Sequence, residues 1–185
     1  VTALPQPRLA TARLLLRPFD PDDAPLVTRL AGDPAIAATT QNVPHPYEEG
    51  MAEAWIARHG PGWERGELAV YAVTEPGLGL VGAVGLRIEP AHRRAELGYW
   101  IGVPYWGRGY ATEAAAELVR LGFGTLGLNR IYATHLTRNP ASGRVMVKLG
   151  MRLEGCRREH IFKSGRYEDI AEYGLLRADA GRHST

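Results

Sequence analysis

The sequence predicts a single mixed α/β domain, and three observations carry that reading. Residues 68–103 hold three consecutive β-like runs. A long amphipathic helix and a second, well-capped helix then alternate with further strands. Glycine, proline and asparagine mark the boundaries, with no internal repeat, low-complexity tract or long linker. The 185 residues are 45% hydrophobic and 23% charged, a balance that suits a packed core and argues against wholesale disorder. A chain of this length buries roughly 70% of its unfolded surface, so it needs no covalent staple. The expected domain spans residues 8–178, with 1–7 and 179–185 expected as disordered tails.

The elements follow in order. Thr11–Arg17 is a short β-like run stopped by Pro18. Asp20, Pro21, Asp22 and Asp23 supply an N-cap, a first-turn proline and acidic residues for a helix to about Ala31. Residues 32–46, with Pro34, Pro44 and Pro46, read mostly as loop. Tyr47–His59 reads as a second helix that Gly60-Pro61-Gly62 should end. Leu68–Thr74 and Leu80–Ile88 form a β-hairpin around Gly77-Leu78-Gly79, and Ala95–Val103 is the third run. Ala111, Ala114, Ala115, Leu118, Val119, Gly122, Phe123 and Leu126 make the clearest helical stripe. Asn129–Leu136 is a strand; Asn139-Pro140 opens a helix that closes at Gly150. Arg152–Phe162 and Tyr167–Leu176 are the last two strands.

Composition excludes several function classes. The single Cys156 removes internal disulfides and multi-cysteine metal sites, and is expected to be buried and inert. The six histidines show no metal-ligand spacing, so no metal is expected. No apolar run approaches the ~20 residues of a membrane span, and no signal peptide is visible, so a cytoplasmic protein is expected. Residues 130–185 carry 11 basic and 6 acidic side chains, an asymmetry suited to an anionic partner, although a general bias toward arginine also accounts for it.

Glu96 to Glu113 is the most informative stretch: a strand, a glycine-rich loop and a helix start. Gly107 and Gly109 allow close backbone approach, and the amides from Gly107 through Arg108, Gly109, Tyr110 and Ala111 to Thr112 would face an anion at the helix N-terminus. The loop lacks the Gly-Lys-Ser/Thr of a P-loop and the glycine spacing of a dinucleotide fingerprint.

The loop Trp106-Gly-Arg-Gly-Tyr-Ala111 resembles the pyrophosphate-binding loop of the GNAT acetyltransferases, Arg/Gln-x-x-Gly-x-Gly/Ala. Gly109 and Ala111 match; Trp106 stands where Arg or Gln is usual. Glu96–Glu113, Asn139-Pro-Ala-Ser142 with Leu149-Gly-Met151, Thr11–Phe19 and Gly165–Asp169 resemble the branch that acetylates ribosomal-protein N-termini (RimJ/RimL type). The resemblance implies a mixed central sheet splayed near an acyl-CoA site and flanked by about four helices. It implies acetyl-CoA as co-substrate, with Ile101, Gly102 and Val103 holding the pantetheine arm through backbone groups that the sheet leaves unpaired. Gly107, Arg108, Gly109, Tyr110, Ala111 and Thr112 would hold the pyrophosphate, with Asn139 and Ser142 on the arm.

Ser142 lies where some relatives place a hydroxyl near the sulfur, and Met146 stands where many family members carry a Tyr acid. Glu96 is the first candidate for the base that takes the amine proton, against a plain salt bridge with Arg93 or Arg94; Glu159 is the second, against pairing with Arg157 or Arg158. Asp169 reads equally as orienting the acceptor or as structural. The reading is direct transfer to a primary amine, on a protein N-terminus or a small molecule, and it leaves homodimerisation open. The alternative is a non-catalytic acyl-CoA sensing domain. A cofactor phosphate, met by Arg108 and cations of the C-terminal region, removes the need for nucleic acid.

Overall fold

In the computed structural model, which describes residues 5–180, the strands of an eight-stranded sheet follow the order β1-β2-β3-β4-β5-β6-β8-β7. These are β1 (Leu9–Ala10), β2 (Leu15–Arg17), β3 (Leu68–Glu75), β4 (Gly79–Glu89), β5 (Arg94–Ile101), β6 (Arg130–Leu136), β7 (Arg152–Lys163) and β8 (Arg166–Leu176). All neighbouring pairs are antiparallel except β5 with β6, which run parallel. That parallel step needs a crossover, and α5 (Tyr110–Phe123) supplies it. The helix stripe read from the sequence packs as expected: Ala114, Ala115 and Leu118 are fully buried against Leu86, Leu97 and Ile131 in one core cluster.

Seven α-helical segments occur among the described residues, where about four were expected. Beside α5, they are α1 (Ala24–Ala31), α2 (Pro34–Thr39), α3 (Met51–Ile56), α4 (His59–Glu64), α6 (Pro140–Lys148) and α7 (Arg177–Ala180). Pro34 does not break structure; it is the first residue of α2, and the Asp33 side chain accepts from the Ala35 N–H. Likewise Gly60-Pro61-Gly62 lies inside α4. Pro61 falls in its first turn, where a helix has no use for the N–H, and Gly62 N–H makes the bond to the Arg58 carbonyl. Of the expected tails, residues 1–4 and 181–185 lie outside the described residues. Gln6 donates to the Val70 carbonyl at 2.8 Å, and Asp179 and Ala180 complete α7.

A second cluster, around Val27, Leu30, Ala52 and Ile56, joins α1 and α3 to the other face of the sheet. Its entry point is a polar knot. Asp23 accepts both guanidinium nitrogens of Arg17 at 2.7 Å and the Asp20 N–H at 2.8 Å. Burial alone would raise the Asp23 carboxyl, but these bonds outweigh it and hold it below the ordinary carboxylate range. Cys156 departs from expectation. It is exposed, because β7 forms an edge strand that no layer covers.

Asp23→Asn removes the charge while leaving Arg17 half-buried. The expected loss is about 1–3 kcal/mol of stability near neutral pH. Because the folded pKa is depressed, the wild-type contribution is present above the ordinary carboxylate pKa and disappears as pH falls through the folded value. Denaturant unfolding across pH should show the two proteins converging in acid.

Candidate active site

The site begins where two strands part. β5 and β6 pair only through Arg94↔Arg130, Ala95↔Ile131 and Glu96↔Tyr132. Gly102 N–H donates to the Val81 carbonyl, so alternate residues of β5 bond β4 and the others face β6. Past the last rung, that alternation turns the Leu97 carbonyl, both backbone groups of Tyr99 and the Ile101 N–H into an open gap. This places the unpaired backbone slightly earlier than expected. The Gly102 N–H belongs to β4, the Gly102 and Val103 carbonyls accept turn bonds from Tyr105 and Trp106, and the Ile101 carbonyl accepts the Trp106 indole N–H at 2.5 Å.

The gap opens into a cavity of about 880 Å³ lined by Leu97–Trp100 of β5, Thr134–Leu136 of β6, α3, α4 and the loop after α2. Glu96 sits on its wall. Its carboxylate pairs with Arg87, directly across the β4–β5 register, and accepts from the Thr134 hydroxyl at 3.3 Å. The expected partners, Arg93 and Arg94, are engaged elsewhere, on the Gly127 carbonyl and on Glu89. The Gln41 amide donates to Thr134 at 2.8 Å, so a chain of contacts runs from the loop to Glu96.

Across the gap, Asn139 caps α6 by accepting from the Ser142 N–H, and its amide donates to the Thr39 carbonyl at 3.0 Å. Gly143 lets the helix approach β6 closely, since a Cβ there would meet the His135 ring at 2.8 Å. The helix thereby presents Ser142 to β5, where its hydroxyl and the Tyr99 hydroxyl are 2.9 Å apart. Burial pushes the Tyr99 phenol up to about 12, against an opposing bond from Ser142, so it stays protonated at working pH. Tyr99 was missed in the sequence although it lies in the quoted motif. Its partner is 43 residues away, and only strand alternation could have hinted that it faces α6. Met146, which the resemblance sets where many relatives carry a Tyr, is buried beneath.

The glycine-rich loop ends in a bare helix N-terminus. Gly107 and Gly109 have φ of 76° and 81°, which side-chain-bearing residues rarely adopt. Gly109 is the N-cap of α5, and no side chain caps it. The amides of Gly109, Tyr110, Ala111 and Thr112 therefore have no intrahelical acceptor, and the dipole favours an anion there. The Tyr110 side chain is not part of this face; it is buried beneath Arg13, 5.1 Å from ring to guanidinium. Arg13 also pairs with Glu113 and donates to the Arg108 carbonyl at 3.1 Å, fixing the loop against β2. Arg108 itself is exposed beside the amides. The C-terminal cations are largely used within the β6–β8–β7 region, where Arg130, Arg138, Arg157 and Arg166 pair with Glu154, Glu168 and Glu172.

The opposite wall is held by Lys163. Its ammonium donates to the Thr40, Gln41 and Val43 carbonyls at 2.7, 3.1 and 3.0 Å, and burial lowers its pKa. Glu159 does not line the cavity: it sits in a β7 bulge, and its N–H is capped by the Asp169 carboxylate at 2.7 Å. His59, buried on the cavity wall edge-on to Trp55 at 4.4 Å, has both ring nitrogens without a partner.

Residues 13–152 match the acetyltransferase (GNAT) domain family. The chain is 37% identical over 99 residues to the Bacillus subtilis "Uncharacterized N-acetyltransferase YoaA", covering 53% of this chain and 56% of that protein. It is 32% identical over 98 residues to the Escherichia coli "Ribosomal-protein-serine acetyltransferase", covering 52% and 55%. The chain thus spans about half the length of these two curated relatives. A Bacillus anthracis acetyltransferase crystal structure of the GNAT family superposes with a TM-score of 0.81 at 26% identity, covering 93% of this chain and 99% of that one.

Burial, helped by the nearby Arg58 charge, lowers the His59 imidazole from 6.5 to about 4. The unfolded chain then binds the extra proton first. Stability supported by neutral His59 is complete above about pH 6.5 and declines as pH falls toward 4. NMR of the ring nitrogens should show a neutral imidazole at pH 5.5, and His59→Phe should flatten the stability profile across that window.

Proposed function

The chain belongs to the acetyltransferase (GNAT) family, and from that premise and the site's geometry we propose that it moves an acetyl group directly from acetyl-CoA to a neutral primary amine. One observation carries the reading. Unpaired strand backbone, a carboxylate and a hydroxyl pair line a single gap, and an uncapped α5 N-terminus follows the end of the strand that borders it. Acetyl-CoA supplies the acyl group in activated thioester form. The amides of Gly109 to Thr112, with Arg108, fit its pyrophosphate, and Asn139 borders the path of the arm. The Tyr99 and Ile101 N–H groups are donors available to a thioester carbonyl, where preorganised backbone dipoles contribute most.

An α-amine has a pKa of about 8 and a lysine about 10.4, so the acceptor arrives largely protonated. Glu96, directly or through one water, takes that proton on the cavity side and returns it to solvent. As the new C–N bond forms it takes the second amine proton, and as the C–S bond breaks the Ser142 and Tyr99 hydroxyls donate hydrogen bonds to the departing thiolate, which collects a proton from solvent. Direct transfer is favoured over an acyl-enzyme because Cys156 lies on the outer edge strand, away from the cavity. A ribosomal-protein N-terminus belongs among the acceptors to be tested, given the relative of that name.

The test is thiol release from acetyl-CoA across a panel of small amines and N-terminal peptides. Acceptor-dependent release supports the proposal; acetyl-CoA binding without release for any amine favours the sensing reading instead. Glu96→Gln should lower kcat/KM by about 10²-fold or more, the range for a positioned base. An unchanged rate rejects that role.

Tyr99→Phe and Ser142→Ala should each slow turnover, and the double variant should be no slower than the worse single one, because the two act as one donor. Since Tyr99 does not titrate near neutrality, Tyr99→Phe should leave the shape of the pH–rate profile between 6 and 9 unaltered.

A further inference from the structure

Charge is sparse and one-sided in the cavity. Among its lining residues Glu96 is the lone carboxylate, and Arg87 already neutralises it. A second ammonium buried there would lose its hydration and find no counter-charge, which disfavours its binding. The end formed by α3 and α4 has the opposite character. Tyr47, Arg58 and His59 gather there, and the Arg58 charge acts on both neighbours. Glu53, which also acts on Tyr47, is exposed and does not line the cavity.

His59 adds an independent sign of a missing ligand. It is only 6% exposed, yet neither ring nitrogen has a hydrogen-bond partner. Leaving such a group unsatisfied is costly unless something completes it. No acceptor among the described residues does so, whereas an anion could take an N–H from the neutral ring and pair with the guanidinium. Between this corner and Glu96 the walls are apolar and aromatic, with Met51, Trp55 and Trp100 among them.

Building on the acetyl-transfer reading above, we infer that the acceptor is a primary amine whose hydrophobic or aromatic body carries one anionic group held by Tyr47, Arg58 and His59. Polycationic amines are poor acceptors. Arg58 and His59 set specificity by anchoring the end of the acceptor remote from the amine.

Binding tests this without turnover. Calorimetry on the CoA-saturated protein would compare 4-(acetamidomethyl)benzoic acid, its primary amide and spermidine. The acid should bind about 10- to 100-fold tighter than the amide, the range for hydrogen bonds to a charged group. Arg58→Gln should bring the acid-to-amide ratio close to one, and Arg58→Lys should restore part of it. Equal affinity for acid and amide, tighter binding of spermidine, no binding of any of the three, or an unchanged ratio in Arg58→Gln overturns the inference. Thiol release measured with 4-(aminomethyl)benzoic acid and 4-(aminomethyl)benzamide separates the two levels. Acid-selective binding without release for any amine defeats the transfer reading alone; release without acid selectivity defeats this one alone.

Discussion

The parting of β5 from β6 after the Glu96↔Tyr132 rung is the constraint on which the site depends. A sheet that paired to its end would satisfy its own backbone and leave no room between these strands. Because pairing stops, the backbone from Leu97 to Ile101 retains donors and acceptors that must be met by something else. The same divergence opens the cavity and places Glu96 on its wall, at the last point where the strands still meet. Because β5 and β6 run parallel, the helices that follow them, α5 and α6, both begin at the same end of the sheet.

The remaining contacts hold this opening in shape. Gly143 brings α6 onto His135, which sets the height of Ser142 against Tyr99. Arg13 and Glu113 tie the glycine-rich loop to the first hairpin. Lys163 and Asn139 reach across from the C-terminal half to grip the chain between Thr39 and Val43. Gln41 then connects that segment through Thr134 to Glu96. Each of these bonds joins residues far apart in sequence, so the cavity forms only when the whole domain has folded. The polar groups are mostly half-buried, where a satisfied network specifies one arrangement and a broken one is penalised.

Much of the fold was legible in the chain because strand and helix periods are local signals. The α5 stripe, the β3–β4 hairpin and the Asn139-Pro140 helix start were each placed within a few residues. Local signals failed where one residue type serves two purposes. Pro34 and Pro61 read as breakers, but each falls in a first helical turn where a missing N–H is harmless. Cys156 read as buried on its residue type, and the edge position of β7 decided otherwise.

The candidate site divides along the same line. The sequence by itself determined the glycine-rich loop, the bare helix N-terminus behind it and the identities of Glu96, Asn139 and Ser142, because those depend on short spacings and on φ angles that glycine permits. Tertiary structure alone decided that Arg87 rather than Arg93 or Arg94 pairs with Glu96, a matter of β4–β5 register. It alone brought Tyr99 to Ser142, turned Asp169 into a cap for Glu159, and left His59 unpartnered beside Arg58. The physical reason is the same in each case. A side chain's partner is set by which strand or helix lies opposite it, and that is a property of the assembled sheet rather than of any stretch of residues.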